Sequence, residues 1–203
     1  MKLILVRHGH VDGIQPERFR GRSDMPLTPL GERQAAATAS RIHAEWPIDA
    51  IFTSPLRRCV ATGAAIAAAT GATATTCRNF IDLDYGDWNG KTHADVRESS
   101  RDLYEAWHLT PHLVRFPGGD SLQDLAARAA EGVRELLREH AGQTVAVVAH
   151  DSVNRALLLQ FANLSLADYW RFRQEPACVN EIDCGAATEI RRINETWHLF
   201  DIR

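Results

Sequence analysis

Two short apolar runs each end on a histidine. Leu3-Ile4-Leu5-Val6 leads into Arg7-His8-Gly9, and Val145-Ala146-Val147-Val148-Ala149 leads into His150-Asp151. The guanidinium of Arg7 is a planar fork that can grip two oxygens of a phosphate at once. Gly9 lets the backbone turn sharply and come close to a ligand. A third segment, Ser54-Pro55-Leu56-Arg57-Arg58, puts Arg58 where a helix begins, within reach of the same place. A fourth, Asp82-Leu83-Asp84-Tyr85-Gly86, supplies carboxylates from a loop. Two imidazoles, two guanidinium groups and a carboxylate brought to one point would bind a small anion and move protons around it.

Bringing them together requires a particular framework. Continuous apolar runs of four to six residues are strands buried on both faces, the habit of parallel sheets. Ligands of open α/β sheets sit beyond the carboxyl ends of such strands. Strands are expected at Lys2 to Val6, Asp49 to Thr53, Thr73 to Phe80 (an edge), Val145 to Ala149, a terminal hairpin at 178–183 and 188–193 around Gly185, and a last short strand from Trp197 to Phe200. Thr28 as N-cap with Pro29 behind it opens a helix that runs to Glu45. Further helices are expected at Leu56 to Ala69, over the poorly patterned stretch Thr92 to His108, from Ser121 with Asp124 as a near capping box, and from Ser152 to Phe161. In the Ser121 helix, Leu122, Leu125, Ala126, Ala129, Val133, Leu136 and Leu137 follow helical spacing. Val11 to Met25 and Ile81 to Lys91 are expected to be loops. The alternation predicts one α/β domain over 1–203, a mainly parallel central sheet with helices on both faces and so three layers α/β/α. A lid-like insertion is expected at about 85–120.

Composition narrows the partners. The 203 residues carry a formal charge of −3, which recommends neither nucleic acid nor membrane. A positive site built against that background would be focused in a cleft and suit a small anion. Cys59, Cys77, Cys178 and Cys184 show no zinc-ligand spacing, so neither metal nor cofactor is expected, and the thiols are expected to be reduced. No apolar run approaches the ~20 residues of a membrane span, and the first strand follows the N-terminus too closely for a signal peptide. A cytoplasmic location follows as an expectation. A homodimer is left open.

In order, Leu5-Val6-Arg7-His8-Gly9, Gly21-Arg22-Ser23-Asp24-Met25-Pro26-Leu27-Thr28, Thr53-Ser54-Pro55-Leu56-Arg57-Arg58, Tyr85-Gly86-Asp87-Trp88-Asn89-Gly90, Phe116-Pro117-Gly118-Gly119-Asp120-Ser121 and Val147-Val148-Ala149-His150 resemble the blocks of the histidine phosphatase superfamily, which includes cofactor-dependent phosphoglycerate mutases and many small phosphatases. The likeness covers nearly the whole chain. It implies a phosphoglycerate mutase-like fold and a metal-independent phosphomonoesterase acting on a small phosphorylated metabolite. His8 would be the nucleophile that becomes phosphohistidine, its basicity held down by cationic neighbours. Arg7, Arg58 and His150 would hold the phosphoryl oxygens, a unit charge at about 4 Å being worth roughly 4 kcal/mol at an effective dielectric near 20. Asp82 stands where many relatives carry a glutamate acid. Asp151, directly after the second histidine, is the rival, because the phytase-like branch keeps its acid there. Arg20 is a candidate substrate contact, as is Arg22.

This chain departs from the pattern at three places. Ile14 replaces the usual asparagine six residues after the nucleophile, His10 the usual glutamate, and Asp151 the usual glycine. Either the phosphate contacts are fewer, or Asn154 or a backbone N–H substitutes for the missing asparagine. Phosphoglycerate mutase is the alternative activity; mutases of the family are usually longer, with a tail that closes the site. A non-catalytic phosphate-binding module is the third reading. His43, His93, His108, His112, His140 and His198 fit no ligand spacing and are expected to be surface groups, and Arg57 an ordinary helix-surface arginine. Trp88, Trp107 and Phe116 are candidates to line a pocket under a lid, with core packing expected for at least two of them.

Overall fold

The computed structural model describes residues 1–14 and 17–202. Gln15 and Pro16, inside the expected rim loop, and the terminal Arg203 lie outside the described residues. Six strands form one sheet: β1 (Lys2–Arg7), β2 (Ala50–Thr53), β3 (Ala74–Thr76), β4 (Thr144–Ala149), β5 (Val179–Cys184) and β6 (Thr188–Glu195). Their order is β3-β2-β4-β1-β5-β6. The first four are mutually parallel, while β5 runs antiparallel to β1 and β6 to β5.

Residues 3–6 and 145–149 have no exposed surface, because both faces of β1 and β4 are covered. Side chains alternate across the sheet. Leu3, Leu5, Val145 and Val147 meet α5 (Leu122–Glu139) and α6 (Asp151–Phe161), through Leu125, Ala129, Val133, Val153 and Leu157. Ile4, Val6, Ala146 and Val148 meet α1 (Pro29–Glu45) and α2 (Arg57–Thr70), through Ala39, Ile42, Cys59 and Ile66. The result is a three-layer α/β/α sandwich. Each such aliphatic side chain contributes roughly 1.5–3 kcal/mol on burial.

The helix starts follow the sequence signals. Thr28 Oγ accepts from Gly31 N at 3.1 Å, with Pro29 in the first turn. Ser121 and Asp124 form a reciprocal capping box on α5, a device whose loss typically costs about 1 kcal/mol.

Three expected elements change form. The edge strand is only Ala74–Thr76, paired to the three residues Ile51–Thr53, after which a 3₁₀ turn at Arg78–Phe80 swings Phe80 into the core. The helical stretch after Thr92 is two helices, α3 (His93–Ser99) and α4 (Arg101–Leu109), broken at Ser100, whose φ of −146° is non-helical. Trp197–Leu199 is a 3₁₀ turn, not a strand; the Trp197 ring lies against the buried Arg41 guanidinium at 4.6 Å. No described helix is long and apolar enough to cross a membrane.

Register decides what meets at the rim. Arg7 pairs with Ala149 and Thr53 with Val148, so β1 and β4 end level and β2 ends one residue short of them. His8, Ser54 and His150 are therefore the first residues beyond three adjacent strands.

Candidate active site

His8 and His150 sit edge to face with ring centroids 5.2 Å apart, and both are buried. The His8 backbone N–H continues the ladder by donating to Ala149 O at 3.0 Å. Its ring Nδ1 lies 2.7 Å from Gly9 O. A carbonyl can only accept, so Nδ1 carries the hydrogen and Nε2 keeps the lone pair. Arg58 Nε donates to that Nε2 at 3.2 Å and to His150 Nδ1 at 3.3 Å. His150 Nε2 lies 2.7 Å from Ser54 Oγ.

Burial first, then Arg58, His150 and Arg7, hold His8 well below the usual histidine range. His150 is lowered likewise, by burial first and then by Arg58 and Arg7. The expectation for His8 named the cations; the larger cause is desolvation, which disfavours the charged ring. His150 consequently stands as a neutral hydrogen-bonding group, so the cations here are guanidinium groups.

Arg58, on the first turn of α2, is fully buried. Its Nη1 donates to Ser23 O and its Nη2 to Gly21 O, both at 2.7 Å, and Nη2 also meets Asp82 Oδ2 at 3.1 Å. Asp82 lies 3.4 Å from His150 Nδ1 through the same oxygen. Its Oδ1 accepts from Leu83 N at 2.9 Å and from the Ser152 hydroxyl. Arg7 Nη1 donates to Gln174 O, while Arg7 Nε is buried with no partner among the described residues. Arg20 Nη1 donates to Gly13 O at 2.6 Å.

Arg7, His8, Arg20, Asp82, Asp151 and Ser152 line a cavity of about 70 Å³, while Arg58 and His150, buried against His8 and Asp82, are not part of its lining. A single water needs roughly 10–15 Å³ on this measure, so the space fits a phosphoryl group with a small substituent.

A model of the histidine phosphatase superfamily (branch 1) matches residues 3–196. The chain belongs to this superfamily. It is 32% identical over 200 residues to phosphoserine phosphatase 1 of Hydrogenobacter thermophilus, covering 98% of this chain and 94% of that one. It is 33% identical over 171 residues to a 2,3-bisphosphoglycerate-dependent phosphoglycerate mutase of Cytophaga hutchinsonii, covering 82% and 79%. Among solved structures, YhfR of Bacillus stearothermophilus superposes with a TM-score of 0.92 at 26% identity, over 98% of both chains. The phosphoglycerate mutase-like fold is thus shown, and phosphatase-named relatives support a hydrolase that works through phosphohistidine.

Against the superfamily pattern, the structure sorts the remaining sequence candidates. Asp151 lines the cavity, but both its oxygens are held by Arg155 Nε at 2.9 and 3.0 Å. Arg22 is taken up by Asp84 and Asp120, and the exposed Arg57 by Asp24. Asn154 does not stand in for the missing asparagine: it is fully buried with its amide 3.0 Å from Gln174 Oε1. His10 braces the rim loop, its Nδ1 2.9 Å from Thr28 Oγ and its N–H donating to Gln34 at 2.8 Å. Gly9 is needed for close approach, since a Cβ there would sit 2.5 Å from Gly31 O.

Two features were not anticipated, the packing of several histidines and the backbone contacts of the segment before β5. His93 is half-buried, stacks on Phe19 at 4.2 Å and lines the cavity; His108 is exposed but stacks on Trp170 at 5.6 Å. His198 is also drawn in, between Thr38 and Arg41. Trp107, a candidate for both pocket wall and core, is buried and lines the cavity. Finally, the segment before β5 grips the site through backbone atoms: Ala177 N donates to His8 O at 3.0 Å and Gln174 O receives Arg7. Ala177 holds φ +59° to do so. No side-chain pattern announces such contacts. The only available signal, the Gln174 to Cys178 break ahead of the hairpin, is shared by any loop.

Proposed function

We propose that the chain is a phosphomonoesterase that needs no metal and works through phosphohistidine on His8. The observation that carries this reading is the convergence of His8 Nε2, Arg58 Nε and His150 Nδ1, with the His8 tautomer set by Gly9 O. A neutral imidazole with its lone pair on Nε2 is the form that attacks phosphorus. Arg7, Arg58, Arg20 and His150 bind the oxygens over which charge spreads in the transition state. Asp82 is the acid. It touches Arg58 and faces His150, whereas Asp151 is bound by Arg155. His8 Nε2 forms a bond to phosphorus as the ester oxygen leaves with a proton from Asp82. Water then attacks the phosphohistidine, gives a proton back to Asp82 and releases inorganic phosphate.

The substrate is a small phosphomonoester whose alcohol carries charge. Besides the phosphate-binding groups, the cavity lining includes the aromatic residues Phe19, Trp107 and Trp170, the carboxylates Glu17 and Asp151, and Arg18. A phosphorylated hydroxy-amino acid such as phosphoserine, the substrate in a relative's name, presents charges of both signs and is the first compound to test. We read 1–203 as one domain, with residues 85–120 forming the substrate-side insertion through His93 and Trp107. A cytoplasmic location is part of the same proposal, supported by four unpaired thiols.

The test is hydrolysis of p-nitrophenyl phosphate in EDTA. We expect turnover by the parent chain, a phosphorylated species 80 Da heavier (about the mass of PO₃H) in rapid-quench mass spectra, and loss of both in His8→Ala. Normal turnover by that variant would refute the mechanism. Isomerisation of 3-phosphoglycerate at a rate comparable to hydrolysis would establish a mutase instead.

A further inference from the structure

We infer that Ser152 is a further catalytic residue, the hydroxyl through which Asp82 delivers its proton to the leaving oxygen; this rests on the phosphohistidine reading above. Asp82 is one methylene shorter than the glutamate many relatives carry, and its oxygens are already engaged. Oδ1 accepts from Leu83 N–H at 2.9 Å and from Ser152; Oδ2 accepts from Arg58 Nη2 at 3.1 Å and faces His150 Nδ1 at 3.4 Å. A carboxylate offers about four acceptor directions; Leu83, Ser152 and Arg58 fill three of them, and Oδ2 also faces the Nδ1 lone pair of His150.

The four partners differ in what they can pass on. The Leu83 amide and the Arg58 guanidinium only donate and do not give up their protons in this pH range. His150 already has Arg58 Nε on Nδ1 and Ser54 on Nε2. A hydroxyl can accept one hydrogen while donating another, and Ser152 is the hydroxyl that both touches Asp82 and lines the cavity. The second residue of α6, it is only 2% exposed, and it follows His150 by two residues, which ties it to the phosphoryl site.

The step balances. When Asp82 is protonated on Oδ1, the bond seen from Ser152 to Oδ1 reverses, so that Oδ1–H donates to Ser152 Oγ and the Ser152 hydrogen turns to the ester oxygen; as the P–O bond to the alcohol breaks, that hydrogen passes to the ester oxygen and the Oδ1 proton passes to Ser152 Oγ. The products are neutral alcohol, intact serine and Asp82 carboxylate. In the second half-reaction the attacking water returns a proton along the same path, restoring the Asp82 acid. Neither oxidant nor co-reactant is needed.

The experiment compares kcat/KM of the parent, Ser152→Ala, Ser152→Thr and Asp82→Asn on p-nitrophenyl phosphate and on a series of alkyl phosphates of rising leaving-group pKa, with proton inventories in H₂O/D₂O mixtures. General acid catalysis is worth about 10²–10⁴-fold. We therefore expect Ser152→Ala to lose at least about tenfold more on alkyl phosphates than on the nitrophenyl ester. Ser152→Thr, which keeps the hydroxyl, should recover most of that difference. The parent's inventory should bow, as two protons moving together require, and that of Ser152→Ala should straighten. Equal losses on all esters would overturn the relay in favour of a scaffold role, and undiminished alkyl turnover would show that Asp82 donates directly. If the parent forms no phosphoenzyme, the underlying reading fails and the relay with it; if Asp82→Asn shows no leaving-group dependence, the acid assignment alone fails. Should Ser152→Ala not fold, Ser152→Thr and Ser152→Cys carry the comparison, a thiol being the weaker donor.

Discussion

Replacing Arg58 tests the electrostatic core of the site. Its side chain is wholly buried and meets two carbonyls, one carboxylate and two imidazoles. Arg58→Met removes the charge while keeping much of the volume. Breaking a buried ion pair by removing one partner costs about 3–5 kcal/mol, and for a domain of this size each kcal/mol lowers the melting temperature by roughly 2–4 °C. A drop of about 6–20 °C is therefore expected. The rate effect is separate. A unit charge about 4 Å from a phosphoryl oxygen at an effective dielectric near 20 is worth about 4 kcal/mol, a factor of about 10³ in kcat/KM. Arg58→Lys keeps the charge, but one ammonium cannot serve five acceptors in that fan; an intermediate loss is expected. Steady-state kinetics well below each variant's melting point separate the two effects. NMR titration of the His8 ring adds a third readout, because losing Arg58 removes the second-largest cause of its lowered basicity and should move it toward the ordinary value. A folded Arg58→Met variant with kcat/KM within about fivefold of the parent would refute the claim that this guanidinium stabilises the transition state.

Two further outcomes follow from the geometry. His8 and His150 are both lowered in the native state, so between their native values and about 6.5 the unfolded chain binds more protons; stability should fall as pH drops below about 6.5, by up to ~1.4 kcal/mol per pH unit for each ring. Urea midpoints from pH 7 to 5 measure this, and a flat profile, or a slope unchanged in His8→Asn, would contradict two neutral buried rings. Gly9→Ala would drive a Cβ to 2.5 Å from Gly31 O and displace Gly9 O, the acceptor for His8 Nδ1. Overpacking of this kind costs about 1–3 kcal/mol, and a displacement near 1 Å at the reacting atom costs roughly 10²-fold in kcat; a stable variant with parental kcat would show that the tautomer is fixed elsewhere.

The parts of the site legible in the sequence are those fixed by backbone periodicity. Apolar runs ending on His8 and His150 give strand ends, and parallel pairing in register makes the two histidines neighbours. Arg58 was legible because a strand end followed by Ser-Pro places it on a first helical turn. What the residues hide depends on tertiary contacts. His93 has no spacing signal; it enters the cavity wall because α3 brings it over Phe19. Asn154 looked like a phosphate ligand because it follows the second histidine, yet its place on α6 turns it inward to Gln174. Trp197 looked like strand because aromatics favour strands, but stacking against Arg41 holds it in a 3₁₀ turn.

The choice of partners for arginine explains how a chain of net charge −3 keeps a positive pocket. Away from the site, guanidinium groups are met by carboxylates: Arg41 by Glu45 and Glu195, and Arg192 by Glu45, Glu181 and Glu195. Around the cavity they are met mainly by carbonyls: Arg7 by Gln174 O, Arg20 by Gly13 O, and Arg58 by Gly21 O and Ser23 O. A carbonyl fixes the direction of a guanidinium without cancelling its charge, whereas a carboxylate does both. The same uncancelled charge contributes to keeping both imidazoles neutral, so the field that attracts a phosphate dianion also helps preserve its nucleophile. Among these three arginines Asp82 is the exception, a carboxylate placed directly on Arg58. A site built only to bind phosphate would be weakened by it, whereas a site that also protonates a leaving alkoxide gains about 10²–10⁴-fold from an acid there, the role proposed for Asp82.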